Sequence, residues 1–117
     1  MLLSNRDIEK IEQLGYDRYY FRKSKKGWLK LKNKNGKCVF HNGKICIIYN
    51  NRPEGCMLYP LIFNRENKSA IVDEDCPYEN YFRFNKKSVN QLYSLVTRII
   101  YERKNRRNKG DNNNFIR

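Results

Sequence analysis

The sequence predicts a small α+β domain, and three observations lead there. An amphipathic segment with a capping signal opens the chain. Short alternating runs separated by turn residues fill its middle. A long stripe with helical spacing follows at residues 88–102. With 117 residues there is room for one domain, here 1–102, followed by a basic polar tail, 103–117. Hydrophobic residues make up only 39 % of the chain and charged residues 32 %, with a formal net charge of +13.

Residues 4–15 read as a helix. Ser4 and Asp7 form a variant capping box, Ile8, Ile11 and Leu14 share one face, and Gly15 supplies the stop. Further on, Tyr16, Tyr19, Tyr20, Phe21 and Trp28 are interleaved with Arg18, Arg22, Lys23, Lys25, Lys26, Lys30, Lys32 and Lys34. Leu29 and Leu31 alternate with lysines, which predicts a strand with one apolar and one basic face. Asn35-Gly36 marks a hairpin turn. From Arg18 through Pro53 there are eleven Lys or Arg and no Asp or Glu. Solvated surfaces ordinarily mix both signs, so this bias points to a polyanionic partner. Tyr19, Tyr20, Phe21 and Trp28 offer either stacking surfaces for unpaired bases or core packing; the first favours RNA, in the ribosome or another ribonucleoprotein.

All four cysteines, Cys38, Cys46, Cys56 and Cys76, fall in one third of the chain, with seven, nine and nineteen residues between them. Thiolates are soft donors, and four of them complete the shell of a zinc ion or an iron–sulfur cluster. Buried free thiols and two disulfides are the alternatives. No apolar run nears the roughly 18 residues that cross a bilayer, and the amino terminus lacks a signal-peptide core. The expectation is therefore a cytoplasmic protein with reduced thiols. Cys38-Val39-Phe40 and Ile45-Cys46-Ile47-Ile48-Tyr49 read as paired strands around a turn at His41–Lys44. Asn51–Gly55 reads as a second turn, with Gly55 at positive φ, that brings Cys56 back. His41 is a fifth candidate ligand, set against its role as a turn residue. No close Cys-x(2–4)-Cys knuckle is present, which favours one [4Fe–4S] cluster over one zinc ion.

Cys38-Val39-Phe40, followed by Cys46, Ile48, Tyr49, Arg52, Pro53, Cys56, Tyr59 and Pro60, resembles the cysteine-cluster proteins described as zinc- or iron-chelating (YkgJ-like). The resemblance spans most of residues 4–77. It implies metal or cluster binding through cysteines, and it keeps a redox or cluster-dependent enzyme component in view as an alternative function. The family's amino-terminal Cys-x-x-x-Cys-x-x-Cys-Cys cluster is absent, since no cysteine precedes Cys38.

Met57–Phe63, with Pro60 inside it, reads as an edge strand or packed loop, and Ser69–Val72 as its partner. Asp73, Glu74 and Asp75 are expected to screen nearby lysines. Ser88 and Gln91 form a capping box for the last helix, whose stripe is Val89, Leu92, Val96, Ile99 and Ile100. The tail carries Arg103, Lys104, Arg106 and Arg107 as further phosphate contacts, and its composition is that of a disordered segment. No phosphate loop or nucleophile–base pair appears, so no catalytic residue is assigned.

Overall fold

The computed structural model describes residues 2–75 and 85–108. Helix α1 spans Asn5–Gln13, and its start is the expected capping box. The Ser4 hydroxyl accepts the Asp7 amide and the Asp7 side chain accepts the Ser4 amide, both at 3.1 Å. Ile8 and Ile11 are buried, whereas Leu14 forms the C-cap and is exposed. Gly15, at φ 102°, ends the helix in a conformation that a side chain would strain.

Strands β1 (Phe21–Lys23) and β2 (Leu29–Leu31) pair antiparallel, closed by a turn in which the Ser24 hydroxyl accepts the Trp28 amide. Leu29 thus lies in a strand as expected, but β2 pairs backward with β1 rather than across Asn35-Gly36. That dipeptide closes a smaller hairpin, β3 (Asn33–Lys34) with β4 (Lys37–Cys38). Asn35 and Gly36 both have positive φ, 55° and 78°, as a type I′ turn requires. Behind the hairpins lies the core of Leu3, Ile8, Ile11, Phe21, Leu29, Phe40 and Ile48. Tyr16 and Tyr20 pack on Phe40 at ring distances of 4.9 and 5.3 Å. Tyr20 and Phe21 therefore serve the core, and Tyr19, 66 % exposed, is the aromatic of that trio left to solvent.

The run from Ile45 to Tyr49 is not a strand. Only an isolated bridge joins His41 to Cys46, and Tyr49–Asn51 forms a 3-10 turn. Ile45 and Ile47 face solvent while Ile48 enters the core, so alternation is present without a strand to pair with. Residues 54–58 also depart from expectation. After buried Pro53 they form a short helix, α2 (Glu54–Leu58), in which Gly55 is helical and buried rather than at positive φ. The Asp7 side chain accepts the Glu54 amide at 3.0 Å and so fixes the start of α2 as well as that of α1.

Strands β5 (Leu61–Asn64) and β6 (Ser69–Val72) form the expected hairpin after a cis Tyr59–Pro60 bond. Helix α3 (Lys86–Asn108) packs on this hairpin and on α2. Its buried apolar positions are Leu92, Leu95 and Ile99, so Leu95 joins the stripe and Ile100 turns outward. The Asn85 side chain accepts the Ser88 amide, which places the cap before Ser88 instead of at it. At the other end α3 runs on to Asn108, through the 102/103 boundary drawn from composition. Its last turns are held by the amino-terminal half of the fold. Arg103 Nε donates to Lys26 O at 2.7 Å, and Arg106 donates to Gly27 O at 3.1 Å and Asn5 Oδ1 at 2.8 Å. Polar composition reads as disorder only when no acceptors wait across the fold. Here backbone carbonyls do.

Asp7 is 1 % exposed and holds two helix starts. Replacing Asp7 with Ala should lower the unfolding free energy by about 2–4 kcal/mol, because buried amides lose their acceptor at both places. Asp7→Asn, which keeps one side-chain oxygen, should recover part of it. Urea denaturation of the three proteins reads the difference.

Candidate metal centre

Three of the four cysteines lie within the described residues, all half-buried and none in a disulfide. Cys38 ends β4, and its backbone pairs with Asn33. Both Cys38 and Cys46 pack against the core cluster. A tight loop returns the chain from one to the other. The His41 amide donates to Cys38 O at 2.9 Å, the Asn42 amide to Ile45 O at 3.1 Å, and the Ile47 amide to Phe40 O at 2.8 Å. Asn42 Oδ1 also accepts the amides of Lys44 and Ile45, both at 3.0 Å. His41 is exposed, and its Nδ1 accepts the Gly43 amide at 3.1 Å, so here it acts as a turn residue.

Cys56 lies in α2, and the approach to it is braced. The Arg52 guanidinium stacks 3.9 Å over the Tyr49 ring and donates to Tyr49 O at 2.8 Å. Lys10 Nζ donates to Arg52 O at 2.9 Å, tying this segment to α1. The residues between Cys46 and Cys56 therefore act as scaffold, and they set where the third thiol falls relative to the first two.

Burial first and the nearby Cys38 second push the Cys56 thiol up from 9.0 to about 11, with smaller contributions from Cys46 and Asp7. Cys38, Cys46 and Cys56 thus share one neighbourhood. They are not yet a closed shell: among the described residues no three His, Cys, Asp or Glu side chains are arranged to hold a metal ion. The thiols are soft donors of the kind that suit zinc or iron. The fourth, Cys76, lies outside the described residues.

A family model described as "Putative zinc- or iron-chelating domain" matches residues 1–77. The chain belongs to this CxxCxxCC family. The family's name spells Cys-x-x-Cys-x-x-Cys-Cys, one residue shorter in its first gap than the form expected above, and the chain carries neither. Its four cysteines begin instead at Cys38 and are dispersed along the chain. No curated protein and no solved structure matches the chain. Among the described residues no helix is long and apolar enough to cross a membrane.

The basic residues divide into two groups. Arg22 lies directly opposite Lys30 on β1 and β2, and Lys34 opposite Lys37 on β3 and β4. Lys32 Nζ sits 4.2 Å over the Tyr19 ring. Arg18, Lys25, Lys26, Lys104 and Arg107 are exposed, and Lys23 is half-buried. The other group serves the fold. Arg106 is 8 % exposed and donates inward to Gly27 O, and half-buried Arg103 donates to Lys26 O through Nε. Sequence reasoning missed Asp7 as a support of the Cys56 helix. Its capping-box position was visible, but its second amide, 47 residues away, was not.

In the metal-free protein a thiol held protonated to about pH 11 should be slow to alkylate. The rate at Cys56, followed by mass spectrometry with iodoacetamide, should keep rising with pH beyond 9, where an ordinary thiol levels off. The sign for stability follows. The folded pKa lies above the unfolded one, so this group's contribution is full below about pH 9 and is lost as pH climbs toward 11.

Proposed function

We propose that this chain is a small RNA-binding metalloprotein. In this reading Cys38, Cys46, Cys56 and Cys76 hold one centre, a [4Fe–4S] cluster in preference to a zinc ion, and the basic hairpins grip RNA. The metal half rests on the family and on the shared neighbourhood of three thiols. The centre is structural: it ties α2 to the β4 loop beside a lean core, and its binding free energy becomes folding free energy.

The observation that carries the RNA half is the charge ladder. Two hairpins place cation directly opposite cation, Arg22 with Lys30 and Lys34 with Lys37. Such pairs oppose strand pairing by about 0.2–1 kcal/mol each. Residues 18–53 hold no acid that would relieve them. A phosphate backbone supplies the missing charge, and exposed Tyr19, with Lys32 over its ring, adds a stacking surface for a base. The two-stranded edge, with one cation on each strand, suits single-stranded or looped RNA better than duplex.

Purified without oxygen, the protein should be brown and carry about four iron atoms per chain. Cys56→Ser should lose most of that iron. A colourless protein with one zinc per chain would move the centre to zinc, and neither metal would end this half of the proposal. For the other half, Arg22→Glu with Lys34→Glu should weaken binding to a single-stranded RNA and flatten the log–log salt slope by about 0.7 for each contact removed. The same pair should raise stability by about 0.2–1 kcal/mol per relieved pair. Unchanged affinity and slope would reduce the ladder to a solvated surface.

A further inference from the structure

A cavity of about 400 Å³ lies beneath α3 and the β5–β6 hairpin, within the size range of small-molecule sites. Trp28, Leu61, Phe63, Leu92, Val96 and Ile99 form much of its wall. Among the described lining residues only Arg65 and Asp73 carry charge. Asp73 is already engaged, its carboxylate accepting the Tyr59 hydroxyl at 2.7 Å and the Asp75 amide at 3.1 Å. Arg65 is not. Its guanidinium lies 5.2 Å from the Trp28 ring centre, and that of Arg103 lies 4.4 Å from the same ring. Among the described residues neither is in an ion pair, unlike Arg98, which holds Glu54 at 3.1 Å.

Two cations drawn to one indole at the side of an apolar cavity define the chemistry of an occupant. Its body must be apolar to match the wall, and its end must be anionic to match the guanidiniums. We infer that the cavity binds a single-chain fatty carboxylate, with the alkyl chain along α3 and the carboxylate at Arg65 and Arg103. A planar carboxylate fits the fork of a guanidinium, and one chain, rather than the two of a phospholipid, suits the volume. Neither the thiols nor the charge ladder is involved, so the site stands or falls apart from the metal and the RNA.

The test uses the one tryptophan of the chain, which lines the site, as reporter. Dodecanoate titrated into the full-length protein should shift Trp28 emission to saturation. Dodecanol, with the same chain and no charge, should bind about tenfold more weakly. Arg65→Gln, on an exposed turn where folding is not at stake, should weaken dodecanoate by about threefold to fivefold. Val96→Phe should narrow the cavity and weaken dodecanoate binding while circular dichroism stays that of the parent. The inference is overturned if dodecanoate produces no saturable shift. It is equally overturned if dodecanol binds as tightly, or if a folded Val96→Phe protein binds like the parent.

Discussion

The side chain of Asp7 is the joint on which this structure depends. One oxygen accepts the amide of Ser4 and the other that of Glu54, so a single buried residue sets the start of α1 and the start of α2. Glu54 then passes the connection on, its carboxylate meeting Arg98 of α3 at 3.1 Å. Three helices far apart in sequence are linked through two adjacent acids. Helix α2 is only five residues long and would not persist alone, since so short a segment cannot repay helix nucleation. Its place, and with it the place of Cys56, comes from Asp7, Pro53 and α3.

That dependence matters to the proposed centre, whose cysteines are dispersed along the chain. In a zinc knuckle two ligands sit on one turn and their spacing does the positioning. Here Cys38 ends a strand, Cys46 follows a loop built on Asn42, and Cys56 rides a helix, so tertiary structure must bring them together. The scaffold is correspondingly dense. Lys10 holds Arg52, Arg52 stacks on Tyr49, and Phe40 and Ile48 anchor both arms of the loop in the core. Without a metal, burial first and the nearby Cys38 second keep the Cys56 thiol protonated to about pH 11. In the proposed centre the same thiols would be its ligands.

Features governed by neighbouring residues were legible in the sequence. The Ser4–Asp7 box, the Asn35-Gly36 turn and the β5–β6 hairpin each follow from a few adjacent side chains. What escaped depended on distant partners. Ile45–Tyr49 has the composition of a strand, yet among the described residues only an isolated bridge from His41 meets it, while Ile48 and Cys46 turn to the core. Asn51–Gly55 has the composition of a turn, but Asp7 supplies an acceptor that lets a helix begin at Glu54. Arg103 and Arg106 read as tail residues until the carbonyls of Lys26 and Gly27 are seen beside them. For the candidate centre, the sequence names the candidate thiols because cysteine chemistry is local. Their common neighbourhood was legible only in outline.

The central claim is that sulfur alone surrounds one metal centre in this protein. X-ray absorption at the iron or zinc edge of the natively loaded protein measures that directly. The account predicts a shell of sulfur at about 2.3 Å, with no imidazole signature from His41, whose Nδ1 is already bound to the Gly43 amide. A first shell dominated by nitrogen or oxygen would contradict it.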